Sequence, residues 1–115
     1  MKKIAIIGSG ISGLYIANLL RQNSSYEIML YEKNNSINLE KGYGIQLSVN
    51  SIKLLNEIGF QNINLEDKFH PNKLDFYSLR NKKKICDLDI SVFNTIEAKY
   101  TTLQRFTLIN FLRER

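Results

Sequence analysis

The sequence predicts an α/β fold organised around a parallel βαβ unit, and three features of its first third carry that expectation. Lys2 to Ile7, with the apolar run Ile4-Ala5-Ile6-Ile7, reads as a short buried strand. Gly8-Ser9-Gly10-Ile11-Ser12-Gly13 reads as a glycine turn opening a helix that places Gly13, Ala17 and Leu20 on one face. Ile28 to Tyr31 reads as a second strand, ending at Glu32, roughly twenty residues past the glycines.

Each residue type answers a physical demand. Gly8 lets the chain turn sharply out of the strand, Gly10 lacks the Cβ that would hold a pyrophosphate away from the backbone, and Gly13 lets the helix lie close on the sheet. Free N–H groups and the positive dipole end of the helix then face the phosphates, without a cationic side chain. Glu32 can accept hydrogen bonds from ribose hydroxyls and would repel a 2′-phosphate. The pattern is a Rossmann-like dinucleotide-binding fingerprint. A mere packing turn would not require an acidic residue at the crossover distance.

Met1-Lys2-Lys3 ahead of an apolar stretch also mimics a secretory leader. Gly8-Ser9-Gly10 interrupts that stretch, no small-x-small cleavage site follows, and Asn18, Arg21 and Gln22 end the pattern, so a leader is not expected. No segment approaches the roughly twenty apolar residues of a membrane span, and the chain reads as cytoplasmic.

At 115 residues there is room for one small domain and not for two full cores. A hydrophobic content of 43% and a charged content of 23% are those of an ordinary globular chain. The net charge of +5 does not argue for nucleic acid, because the cations are scattered apart from Lys82-Lys83-Lys84, which reads as a solvated hairpin tip. Cys86 stands alone, which removes a disulfide framework and a metal-ligand spacing; its alternation with Leu88 and Ile90 predicts a buried strand position. His70, before Pro71, has no acid-base partner nearby in sequence and is not expected to be catalytic.

Beyond Glu32, Asn34 to Glu40 is polar and reads as a loop. Gly42-Tyr43-Gly44-Ile45-Gln46-Leu47 suggests close backbone approach followed by a short extended stretch. Ser48 caps a helix carrying Ile52, Leu55 and Ile58 on one face, and Gly59 suits a left-handed stop. Lys73 to Leu79 and Lys84 to Ile90 read as an antiparallel hairpin joined by Arg80 to Lys83. Asn94 to Thr102 reads as irregular, and Gln104 to Arg113 as a helix with Leu108, Ile109 and Leu112 on one side. A parallel pair needs cover on both faces, and a final helix would normally lead into a further parallel strand. The expected architecture is therefore an incomplete one, the amino-terminal part of a longer enzyme or a truncated relative.

Three patches resemble the amino-terminal part of the FAD-dependent aromatic hydroxylases, the flavoprotein monooxygenase group that includes para-hydroxybenzoate, salicylate and ubiquinone-pathway hydroxylases. The first is Ile6 to Leu14 with Ala17, Leu20 and Glu32-Lys33; the second is Gly42 to Ser51 with Leu55 and Gly59; the third is Leu103-Gln104-Arg105-Phe106-Thr107-Leu108 with Leu112. Many FAD and NAD enzymes share the first, while the second and third together are similar to this hydroxylase group. The resemblance implies that Gly8, Ser9, Gly10, Ser12 and Gly13 line the FAD pyrophosphate and that Glu32 holds the adenosine ribose. It also implies that Lys33 stands at a second cofactor position, that Gly44 lies against the cofactor, and that Arg105 reaches FAD from the later helix. A guanidinium at a helix start beside a phosphate site can make charge-assisted, bidentate bonds.

Residues 1–115 are then the amino-terminal portion of an FAD/NAD(P)-binding domain, with residues 72–92 a hairpin excursion belonging to the substrate-side sheet. By the resemblance, NAD(P)H is the co-substrate, O2 the oxidant, and a small aromatic molecule the substrate. No catalytic side chain and no metal are expected, because the cofactor carries the difficult chemistry. Lys33 departs from the group's usual arginine, keeping charge but losing the planar fork, and Val49 and Ser51 stand where proline and alanine are usual. The group's Asp-Gly and Gly-Asp motifs have no counterpart among these residues. Other FAD oxidoreductases, a plain NAD-binding dehydrogenase and a non-catalytic nucleotide-binding remnant are the alternatives.

Overall fold

The computed structural model describes residues 1–35 and 42–115, so most of the expected loop from Asn34 to Glu40 lies outside the described residues. Strand β1 (Lys2–Ile7) leads through the glycine loop into helix α1 (Ile11–Arg21) and returns as β2 (Tyr26–Tyr31). The two strands pair in parallel, from Lys2 opposite Tyr26 to Ile7 opposite Tyr31, and the Gly8 amide extends the ladder by donating to the Tyr31 carbonyl at 2.7 Å. This is the βαβ unit the sequence predicts, with β2 starting earlier than Ile28.

Strand β3 (Gly44–Leu47) precedes helix α2 (Val49–Asn56), whose Ile52 and Leu55 are buried. Ser48 occupies the cap position as expected, but its hydroxyl pairs with the Asn50 side chain and not with a helix amide. Gly59 has φ +90, the left-handed conformation expected where a helix stops. Strands β4 (Lys73–Tyr77) and β5 (Lys84–Asp89) form the expected antiparallel hairpin, with a register shift at Phe76/Tyr77.

One expectation is corrected at the carboxyl end. The irregular stretch assigned to Asn94–Thr102 ends in a strand, β6 (Thr101–Gln104), and helix α3 (Arg105–Glu114) starts at Arg105 with Gln104 as its cap residue. Strand β6 pairs antiparallel with β3, Leu103 opposite Ile45 and Gln104 opposite Gly44. Four residues are too few for a period-two pattern to stand out, and the partner lies more than fifty residues away in sequence.

The core lies among the three helices and the β3–β6 pair. Leu14 from α1, Ile52 and Leu55 from α2, Leu103 from β6, and Leu108, Ile109, Phe111 and Leu112 from α3 form one cluster with Ile58, Phe60 and Ala98. Asn18 ties α1 to α3 by donating to the Leu112 carbonyl at 2.8 Å.

Elsewhere the apolar surface is open. Ile7 is 82% exposed and Tyr31 52% on the parallel pair, and every residue of β5 is exposed. Cys86 is therefore exposed, contrary to the buried position its alternation predicts: among the described residues none buries the hairpin strand β5, so apolar alternation does not produce burial. The radius of gyration of 17.3 Å exceeds the roughly 13 Å of a compact chain of this length. Likewise the accessible surface of 8653 Å² exceeds the roughly 6,500 Å² expected for this mass. The fold is α/β and Rossmann-like, with an inserted hairpin.

Candidate functional site: a glycine loop and a distant clasp

The glycine loop is shaped by contacts that only hydrogen at Cα permits. Gly8 has φ +99, which turns the chain out of β1. A Cβ on Gly13 would fall 2.0 Å from the Gly8 carbonyl oxygen, so this glycine is what lets α1 pack on the turn beneath it. Gly10 differs: a Cβ there would meet nothing within 4 Å, and its backbone is extended. Its bare Cα faces open space at the N-terminus of α1, a cradle of the kind an approaching phosphate needs. No side chain caps that helix end, and the first carbonyl accepted within it is Gly10 O, from Leu14 N at 2.9 Å. The first-turn amides of Ile11, Ser12 and Gly13 thus have no intrahelical acceptor. Ser12 is exposed beside them.

Glu32, just past β2, reaches back to this loop. Its Oε2 accepts from the Ser9 amide and from Ser9 Oγ, both at 2.9 Å, and its Oε1 accepts from the Asn34 amide at 3.0 Å. These bonds favour the ionised form, and the Ser9 amide foremost among them holds the carboxyl down at about 2. A carboxylate offers about four acceptor sites, so three bonds still leave one for a ribose hydroxyl. Ser9 is buried, and its two donors are spent on Glu32. A cavity of about 640 Å³ opens here, lined by Ser9, Leu14, Leu30, Glu32, Asn34, Asn35 and Arg113. Lys33, the residue after Glu32, is exposed and is not among the residues that line the cavity.

The β3–β6 pairing builds a second structure from distant sequence. It brings the turn Gly42-Tyr43-Gly44 against the start of α3, where the Arg105 amide donates to the Tyr43 carbonyl at 3.2 Å. The Arg105 side chain lies over Gly42: a Cβ at that position would stand 3.0 Å from Arg105 Cδ. Gly44 is exposed, and a Cβ there would meet only the Leu103 carbonyl oxygen, at 3.7 Å.

The structure thus joins Gly8, Ser9, Gly10, Ser12, Gly13 and Glu32 in one loop, and Gly44 and Arg105 in another. Three participants escaped the sequence reading. Gly42 was legible as a glycine but not as Arg105's neighbour, and the Tyr43 carbonyl and Asn34 amide are backbone groups with no side-chain signal. His70 is taken up structurally, its Nδ1 lying 3.1 Å from the Tyr100 carbonyl and 3.2 Å from Thr101 Oγ1. Among the described residues no cluster of three or more potential ligands could hold a metal, and no helix is long and apolar enough to cross a membrane. A separate cavity of about 460 Å³ on another face of α3, lined by Asn62, Asp67, Phe106 and Asn110 among others, shares no residue with either loop.

Comparison with known proteins bears on the fold. Residues 6–39 match the family described as an NAD(P)-binding Rossmann-like domain. No curated protein sequence matches the chain. Among solved structures, the tetrameric form of 2-methyl-3-hydroxypyridine-5-carboxylic acid oxygenase superposes with a TM-score of 0.81 at 21% identity, over 99% of this chain and 28% of that one. The 2,6-dihydroxypyridine-3-hydroxylase of Arthrobacter nicotinovorans gives 0.70 at 19% identity, over 97% and 26%. HpxO of Klebsiella pneumoniae, solved with FAD and uric acid, gives 0.74 at 23% identity, over 97% and 28%. The chain therefore has the fold of one part of these hydroxylase structures and spans little more than a quarter of their length.

Proposed function

We propose that this chain forms the FAD-binding amino-terminal part of an NAD(P)H-dependent flavoprotein monooxygenase acting on a small aromatic or similar ring substrate. The observation that carries the proposal is the conjunction of the open Gly10 cradle with the Gly42–Gly44 turn seated on Arg105. A plain nicotinamide-binding βαβ repeat supplies the first and has no use for the second.

In this reading the amides at the start of α1 receive the pyrophosphate over Gly10, with Gly8 and Gly13 shaping the turn and Ser12 beside it. Ser9 holds Glu32 ionised and oriented, and Glu32 takes the adenosine ribose. Lys33 supplies a cation at the rim of the adenosine side, while Arg105 and Gly44 meet the cofactor from the β3–β6 side. Bound FAD would supply the redox chemistry, taking electrons from NAD(P)H and directing one oxygen atom of O2 onto an electron-rich ring. No acid, base or nucleophile from this chain is assigned to the reaction. The exposed hairpin, residues 72–92, belongs to the substrate-side sheet, its apolar residues Phe76, Ile85 and Leu88 awaiting cover by other parts of the enzyme.

Titration of the purified chain with FAD and, separately, with NAD(H) tests the proposal, read by flavin fluorescence and by calorimetry. FAD binding that the nicotinamide dinucleotides compete for only weakly is expected. Nicotinamide binding without flavin binding would replace the proposal with a dehydrogenase-type site.

A further inference from the structure

Gly42 has a missing side chain whose place is filled by a cation's stem. We infer that Gly42 is a positioning residue for Arg105: its bare Cα is the seat on which the arginine stem lies, and the seat fixes where the guanidinium is delivered. The inference rests on the reading of Arg105 as a cofactor-side group and adds the residue that places it.

An ideal Cβ at position 42 would stand 3.0 Å from Arg105 Cδ, 3.3 Å from Cβ and 3.6 Å from Cγ. Three successive stem carbons therefore lie against one glycine. The stem cannot retreat as a unit, because Arg105 is the first residue of α3 and its amide is bonded to the Tyr43 carbonyl, one residue from Gly42. A methyl group at 42 would press on the stem along its length, and turning the stem into another rotamer relieves that contact and redirects the guanidinium. Position 42 also has φ +151, so the backbone conformation itself favours glycine. Gly44, in the same turn, makes no such demand: its nearest neighbour would be the Leu103 carbonyl oxygen at 3.7 Å, an ordinary contact. Two glycines of one turn thus have different work, and only the first addresses the arginine.

The test compares Gly42→Ala, Gly44→Ala, Arg105→Ala and the double variant G42A/R105A in the whole chain. The Arg105 Nε–Hε NMR signal reads the seat without any cofactor. It should be dispersed in the native chain and in G44A, and collapse into the solvent-exposed arginine envelope in G42A. FAD affinity reads the consequence: G42A should weaken binding about tenfold, as R105A does, and add nothing further in the R105A background.

An unchanged Arg105 signal in G42A overturns the inference, as does an equal loss of FAD affinity from G42A in both backgrounds. If the G42A chain loses the Ile109 and Leu112 methyl signals of the folded core, truncating the stem in G42A/R105A should restore them; failure to restore them also overturns it. Should the native chain bind no FAD, the proposed function falls, and the arginine signals in G42A and G44A still decide the seat.

Discussion

The two glycine-bearing regions of the site are built on different principles. The loop from Gly8 to Gly13 is closed by neighbours in sequence: Gly13 must avoid the Gly8 carbonyl five residues back, and Gly8 bends the chain by its own φ. The Gly42–Gly44 turn has no such internal closure. It is held by β6 and by the first residue of α3, some sixty residues downstream. A short-range site should fail only when its own residues change, whereas a long-range one should also fail when the core that aligns its halves is damaged.

The largest effect is expected at Gly13. Gly13→Ala sets a methyl against a backbone oxygen that cannot move without unmaking the β1–α1 turn, and should cost about 3 kcal/mol or more of stability by urea denaturation. Leu103→Ala comes next. Leu103 is 6% exposed in the core and belongs to the strand that carries the clasp, so about 2–4 kcal/mol should be lost. In that variant the amide shifts of Gly42 to Gly44 and Arg105 should move while those of Ser9 to Gly13 stay. Movement of both sets would dissolve the distinction drawn between the two regions.

Glu32→Gln separates binding from folding within the loop. Its one carbonyl oxygen can still accept from Ser9, but the NH2 that replaces the other carboxylate oxygen cannot accept from the Asn34 amide, and FAD should bind roughly tenfold more weakly. Acid titration offers an independent reading. The Glu32 carboxyl is lowered from 4.5 to about 2 in the folded chain, so its contribution is fully present above pH 4.5 and is lost as pH falls through about 2. The urea midpoint of the native chain should carry an acid limb in that window that E32Q lacks. The smallest effect on stability is expected at Gly10. Gly10→Ala meets nothing within 4 Å and has an unstrained backbone, so the urea midpoint should hold within about 0.5 kcal/mol while FAD affinity drops.

The same contrast explains what could be read from sequence. The first loop is legible because its constraints span few residues and each calls for a particular residue type: glycine at 8, 10 and 13, and a carboxylate at the crossover distance. The helix faces around Ile52, Leu55, Leu108 and Leu112 were equally readable, since a 3.6-residue period names its own buried side. Strand β6 was not, because Thr101–Gln104 is short and becomes a strand by meeting Gly44–Leu47 on one side and Phe69 on the other, both far away in sequence. Arg105 and Gly44 could be named as candidates by resemblance, yet nothing in their spacing joined them to each other or to Gly42. Cys86 misled for the opposite reason: the alternation of β5 is real, but the layer that would bury it is not among the described residues.

The claim that both regions serve one cofactor is tested most directly by titrating the isotope-labelled chain with FAD and following its backbone amides. The account predicts that Ser9 to Gly13, Glu32 to Asn34, Gly42 to Gly44, and Gln104 and Arg105 shift together along a single binding curve. Shifts confined to the glycine loop and Glu32, with the Gly42–Arg105 clasp unmoved at saturation, would contradict it and leave a simple adenine-nucleotide site.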